Sequence, residues 1–204
     1  MAVVKIDVLA LRGFIAKYKA SFGHTRLGDY NEIYKWKAVK CFQDNWDIEA
    51  PDFHAMLRAA LAQTRNLLAN ANNFPKGMLE DFAKIRPEEV REMFRNLFDE
   101  SIGVQTRAKR FAERAAELRT LNPVWKQDYQ TPNAISTYLW LRYPDKYYIY
   151  KYSVIKDNAQ KLCGMDMPTG KLDRMVFGFD LYDAICAELA KDAELVKMSQ
   201  DSLS

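Results

Sequence analysis

The sequence predicts an all-α fold, a single compact domain of about eight helices with at most one short extended segment near residues 145–152. Three observations predict it. Apolar residues recur at i, i+3, i+4 and i+7 through most of the chain, which is the spacing of a helix face. Cap residues and first-turn prolines stand in front of several of these stretches. The 204 residues include only 8 Gly and 7 Pro, too few to turn the chain at every strand end of a β-sandwich.

The elements follow in order. Asp7 is placed to cap a first helix carrying Val8, Leu11, Ile15 and Tyr18 and ending near Gly23. HTRLGDYN (24–31) reads as a loop, and a second helix runs from about Asn31 to Trp46. After Pro51-Asp52, the residues Phe53, Met56, Leu57, Ala60, Leu61, Thr64, Leu67 and Leu68 keep helical spacing for over four turns. NANNFP (70–75) ends that helix. A short helix holds Met78, Phe82 and Ile85. Pro87 then opens another, with Glu88 and Glu89 suited to its positive end. Val90, Met93, Phe94, Leu97 and Phe98 form its apolar face.

Residues 104–120 give a more charged helix with Val104, Ala108, Phe111, Ala115 and Leu118 as its core stripe. Thr131-Pro132 is a cap followed by a first-turn proline, and that helix stops before Pro144. DKYYIYKY (145–152) alternates polar and apolar residues and reads as extended. Ser153 is the expected cap of a helix closed by Gly164. MDMPTGKLDRMVFG (165–178) reads as a loop, and Leu181, Tyr182, Ile185, Cys186 and Leu189 give a last long helix. The tail KMSQDSLS shows no core pattern, so the domain is placed at 1–198 with 199–204 as linker. A polar end just after a helix reads as a cut between domains.

Composition excludes several classes. With 49% hydrophobic and 28% charged residues, the chain is globular in balance. The net charge of +3 neither demands nor opposes nucleic acid. Cys41, Cys163 and Cys186 are odd in number and lack CxxC spacing, so a disulfide framework is not expected and a cytoplasmic setting is. The first residues lack a signal-peptide core, and no apolar run approaches the roughly 18 residues of a membrane span.

The chemistry is notable for what is missing. Gly170-Lys171 is the one Gly-Lys pair, but it is followed by Leu172 and lacks the motif's glycine five positions upstream, so it is not a P-loop. His24 and His54 lie far apart in the sequence, and no Cys/His cluster suits zinc. Pro51-Asp52 and Pro144-Asp145 could each begin a metal-dependent nuclease motif. No Asp or Glu in the chain has Lys two positions later, so the second half is absent and both pairs read as helix punctuation. The segment is expected to carry no catalytic centre, metal or cofactor of its own.

Positive charge concentrates in residues 101–150, with 8 Lys and Arg against 4 Asp and Glu. Arg107, Arg110 and Arg114 share one side of their helix, about 80° from the middle of its core stripe at 100° per residue. They suit a phosphate-binding edge, or else snorkelling arginines paired with acids such as those at Glu88–Glu92. From Arg142 to Lys151, the tyrosines Tyr143, Tyr147, Tyr148, Tyr150 and Tyr152 alternate with Arg142, Lys146 and Lys151. Aromatic faces stack on unpaired bases and cations hold phosphates. The competing reading packs these tyrosines on the core with their hydroxyls wet.

Three stretches carry a family resemblance: KWKAVKCFQDNWDIEAPDFHAML (35–57), NLLANANNFPKGMLEDFAKIRPEEVREMFRNLFDES (66–101) and YQTPNAISTYLWLRYPDKYYIYKYSVIK (129–156). Together they resemble the helical N-terminal region of McrB-like AAA+ proteins, the 5-methylcytosine-specific restriction enzyme B group. The resemblance implies a nucleotide-hydrolysing motor C-terminal to this region in the same chain, and a separate nuclease subunit as partner. It implies that this region selects the target, DNA that can carry a modified base. Arg142, Lys146, Tyr147, Tyr148, Tyr150 and Lys151, with Arg107, Arg110 and Arg114, are then the expected DNA contacts. The alternative is a protein–protein or oligomerisation module of the same kind of system, without DNA contact.

Overall fold

A computed structural model describes residues 4–22, 32–69 and 74–201. The fold is all-α, with eleven helical segments and no strand among the described residues. They are α1 (Val8–Ala20), α2 (Ile33–Asn45), α3 (Phe53–Ala60), α4 (Arg65–Leu68), α5 (Pro75–Ile85), α6 (Pro87–Phe98), α7 (Val104–Arg119), α8 (Pro132–Arg142), α9 (Tyr152–Cys163), α10 (Lys171–Leu189) and α11 (Ala193–Asp201). None is long and apolar enough to cross a membrane. The chain divides into two compact units, one of residues 33–150 and one joining 1–32 to 151–204. The expected helix end near Gly23, the loop at 24–31 and most of NANNFP lie outside the described residues.

The 33–150 unit is built around α8, which is buried at every position from Ala134 to Leu141 and contacts α2, α4, α6 and α7. Such a helix must satisfy its polar groups internally. Ser136 and Thr137 do so by donating to Asn133 O, at 2.9 and 2.8 Å. Tyr138 donates to Gln130 Oε1 at 2.9 Å, and Gln130 in turn donates to Pro75 O at 2.9 Å. Burial pushes the Tyr138 hydroxyl far above the ordinary tyrosine range, so it remains a donor. Around α8 the rings interlock. Phe94 lies 4.9 Å from Trp46, 5.4 Å from Phe111 and 5.6 Å from Tyr138 between ring centroids.

The helix starts follow the sequence signals. Asp52 accepts from Ala55 N at 2.9 Å and caps α3, so Pro51-Asp52 is punctuation. Pro75, Pro87 and Pro132 each open a helix, and Thr131 caps α8. Gly164, at φ 60°, ends α9 in the left-handed conformation that glycine tolerates.

Four local expectations are corrected. The long helix over 53–68 is broken after Ala60: buried Thr64 donates its hydroxyl to Leu61 O at 2.7 Å, competing with the helical ladder. Lys151, not Ser153, is the residue that precedes α9. The loop expected over 165–178 ends at Gly170, because Arg174 donates to Pro168 O and Thr169 O at 2.7 and 2.9 Å and holds the chain at the start of α10. The C-terminal residues continue in α11 as far as Asp201, with Leu195 buried.

One buried residue had no place in the sequence reading. Arg91 lies on the core side of α6 and donates to Ile48 O and, at 2.9 Å, to Ala50 O. It also holds Glu88 at 3.0 Å and covers the Phe53 ring at 4.8 Å. A planar guanidinium can meet two carbonyls, a carboxylate and an aromatic face at once. It thereby pins the turn before α3 to α6.

The other unit is smaller in its core. Leu11, Ile15, Leu162 and Leu195 form a buried cluster, with Ile185 and Leu189 packed against it. Asp7 caps α1 through Leu9 N and Ala10 N, both at 3.0 Å, and its own N–H donates to Leu162 O at 2.6 Å. Lys19 donates to Asp192 and Glu194 at 2.7 and 2.8 Å, joining the end of α1 to the start of α11.

Candidate nucleic-acid interface

The two sets of cations proposed as DNA contacts meet differently from their sequence pattern. Arg107, in the first turn of α7, is only 2% exposed. It donates to Leu97 O and to the Tyr147 hydroxyl, both at 2.6 Å. Leu97 lies in the last turn of α6, where carbonyls lack helical partners and the dipole favours a cation. Arg107 is therefore a clamp between α6, α7 and the 142–150 segment, and it is corrected from a phosphate contact to a buried support. Its Nε has no hydrogen-bond partner.

Arg114 pairs with Glu89 on α6 at 2.5 Å and with Glu117 on its own helix. This is the competing reading of the arginine edge. Both acids hold the guanidinium, so its charge is compensated in place. Arg110 is exposed and makes no ion pair with a described residue. It borders a 410 Å³ hollow with Glu88, Glu89 and Glu92 opposite. The three arginines thus do not form one phosphate-binding edge.

The 142–151 segment forms no strand. A turn at 144–146 follows α8, so Pro144-Asp145 is also punctuation. The residues after it bond sideways to α8: Tyr150 N donates to Ser136 Oγ at 2.9 Å, and Asn133 donates to Tyr150 O at 2.6 Å. Alternating polarity here marks a chain lying against a helix. Tyr147 and Tyr150 are buried and Tyr148 is half-buried, which removes them from the set of open stacking faces. Lys151 is exposed and begins the second stretch of the other unit.

What the fold does bring together is a short edge around Tyr143 and Tyr147. Their rings lie 6.1 Å apart. The exposed Arg142 guanidinium is 5.4 Å from the Tyr143 ring, and the exposed Lys146 ammonium is 5.8 Å from the Tyr147 ring. Tyr143 donates to Phe98 O at 3.0 Å, which fixes its ring. Arg142 makes no ion pair with a described residue. Lys146 pairs with Glu100 at 2.5 Å, and Glu100 also accepts from Tyr147 at 3.0 Å. The Lys146 hydrogen bond holds the Glu100 carboxyl below the usual glutamate range against the opposing effect of burial. Burial pushes the Tyr147 hydroxyl up, with the Arg107 hydrogen bond opposing it. Glu100 was not read from the sequence; no periodic signal marks an acid that closes a loop onto a lysine 46 positions away.

Charge is divided between the units in the same sense. Residues 33–150 contain 18 Lys and Arg against 15 Asp and Glu, while the remainder of the chain has 12 of each. The whole formal excess therefore belongs to the unit that carries Arg142 and Lys146. Among the described residues, no group of three or more His, Cys, Asp or Glu is placed to hold a metal ion. Compared with protein-family models, with curated proteins and with solved structures, the chain matches none of them.

Proposed function

We propose that the chain is a non-catalytic, cytoplasmic target-recognition module of a McrB-like restriction or defence NTPase, and that it contacts DNA through the Arg142–Tyr147 edge. The observation that carries this reading is the exposed Arg142 guanidinium, without an ion pair to a described residue, beside the half-buried Tyr143 ring in the unit that holds the net positive charge. A cation next to an aromatic face suits phosphate and base contacts together. A nucleotide-hydrolysing motor in the same chain and a separate nuclease subunit are the partners that the family resemblance supplies. Modified cytosine is the target class it suggests.

Fluorescence anisotropy of labelled plain duplex, cytosine-methylated duplex and single-stranded DNA tests the proposal. Binding should weaken steeply with salt, because phosphate contacts release counterions. Arg142→Ala should weaken it severalfold and reduce the salt slope by about one. Absence of binding to all three DNAs at low salt would refute the reading. A protein–protein module is the second reading. It is favoured by apolar side chains left in water on the 120–131 loop, above all Val124 at 78% exposure with Leu121 half exposed nearby in sequence.

A further inference from the structure

The unit joining 1–32 to 151–204 contains an open apolar groove of about 660 Å³. Its origin lies in the helix pattern. Leu11, Phe14, Ile15 and Tyr18 follow i, i+3, i+4, i+7 along α1 and form one wall. The inner pair, Leu11 and Ile15, is buried; the outer pair, Phe14 and Tyr18, is 44% and 38% exposed. The apolar stripe is thus wider than the helices that cover it. α9, α10 and α11 supply the remaining walls.

The chemistry of the walls selects the occupant. None of the residues lining the groove is charged. A phosphate, carboxylate or ammonium placed there would lose its hydration without gaining a counter-charge. Two lining residues, besides Tyr18 at the open edge, can hydrogen-bond: Asn158 on α9 and Tyr182 on α10. Asn158 is half-buried, and its side-chain amide makes no hydrogen bond to another described residue. Its amide offers both a donor and an acceptor. The volume falls within the roughly 300–1,000 Å³ of small-molecule sites, which pair apolar walls with a few polar groups.

We propose that this groove binds a neutral, mainly apolar small molecule whose single polar end is received by Asn158. This does not rest on the DNA reading, which concerns the other unit. The probe is the neutral fluorophore N-phenyl-1-naphthylamine, which has two aromatic groups and one N–H. Titrated into the full chain, it should brighten saturably at one site per chain. Asn158→Leu should weaken it about threefold to tenfold, the worth of one hydrogen bond. Ile185→Trp, which fills the groove, should abolish binding with the far-UV circular dichroism unchanged. Val196→Trp at the more exposed rim serves the same purpose if Ile185→Trp does not fold. Three results would overturn the proposal: no saturable binding by the wild-type chain, binding indifferent to all three substitutions, or displacement of the probe by concentration-dependent self-association. The last would mean that a second copy covers the groove.

Discussion

The 33–150 unit and the unit formed by 1–32 with 151–204 use the same helical spacing and finish it differently. In the first, each apolar stripe meets another helix. Phe42, Phe53, Phe82, Phe94, Phe111 and Tyr138 are all fully buried, and α8 is enclosed on every side. In the second, a small aliphatic cluster is sealed and the wider stripe of α1 is left open along a groove. Periodicity specifies which residues share a face, but it does not specify how many helices will cover that face. A complete core makes a rigid platform for surface groups such as Arg142. An incomplete one leaves apolar surface available to a ligand.

The largest contrast should appear on truncating one apolar side chain in each unit. Phe94→Ala removes a ring that touches four aromatic neighbours and Tyr138 among them, and should cost about 3–5 kcal/mol of stability. Ile185→Ala, on the wall of an open groove, should cost about 1 kcal/mol, because little new cavity is created. Equal losses in urea unfolding would break the comparison. Arg91→Ala comes next: it leaves Ile48 O and Ala50 O without their donor, and about 2–3 kcal/mol should be lost. Arg91→Lys should recover only part of this, since an ammonium cannot span the same partners.

The smallest effect is one of pH. The folded state holds Glu100 below its ordinary value, mainly through Lys146, so the pair stabilises the fold above the unfolded glutamate pKa. That contribution is lost as pH falls through the lower, folded value. Glu100→Gln should therefore be less stable than the wild type at neutral pH, and the two should converge in acid. Denaturation midpoints that remain parallel across this range would remove Glu100 from the account.

Much of the fold was legible because its signals are local. Asp52, Thr131, Pro132 and Gly164 act on their own backbone neighbours, and their placements hold. The stripe of Val90, Met93, Phe94 and Leu97 is buried as its spacing implies. The errors fall where a distant or competing partner decides. Thr64 breaks a good helical pattern with one side-chain hydrogen bond. Arg174 organises a Pro-Gly segment that reads as a longer loop. The candidate site was less legible still. Arg107 stands at the border of its core stripe, where only the tertiary positions of Leu97 O and Tyr147 turn it inward. Tyr147 and Tyr150 show the limit of reading an aromatic-rich segment as surface, since both are spent on packing. Arg142, the last residue of α8, and Lys146, in the turn after it, keep their exposure because the chain leaves the core there.

Backbone hydrogen exchange of the full chain, with and without a saturating cytosine-methylated duplex, separates the two units by what they bind. The duplex should slow exchange around 142–147 and leave 8–20 and 182–196 unchanged. Slowing confined to 8–20 and 182–196, or no slowing anywhere with DNA bound, would contradict this division.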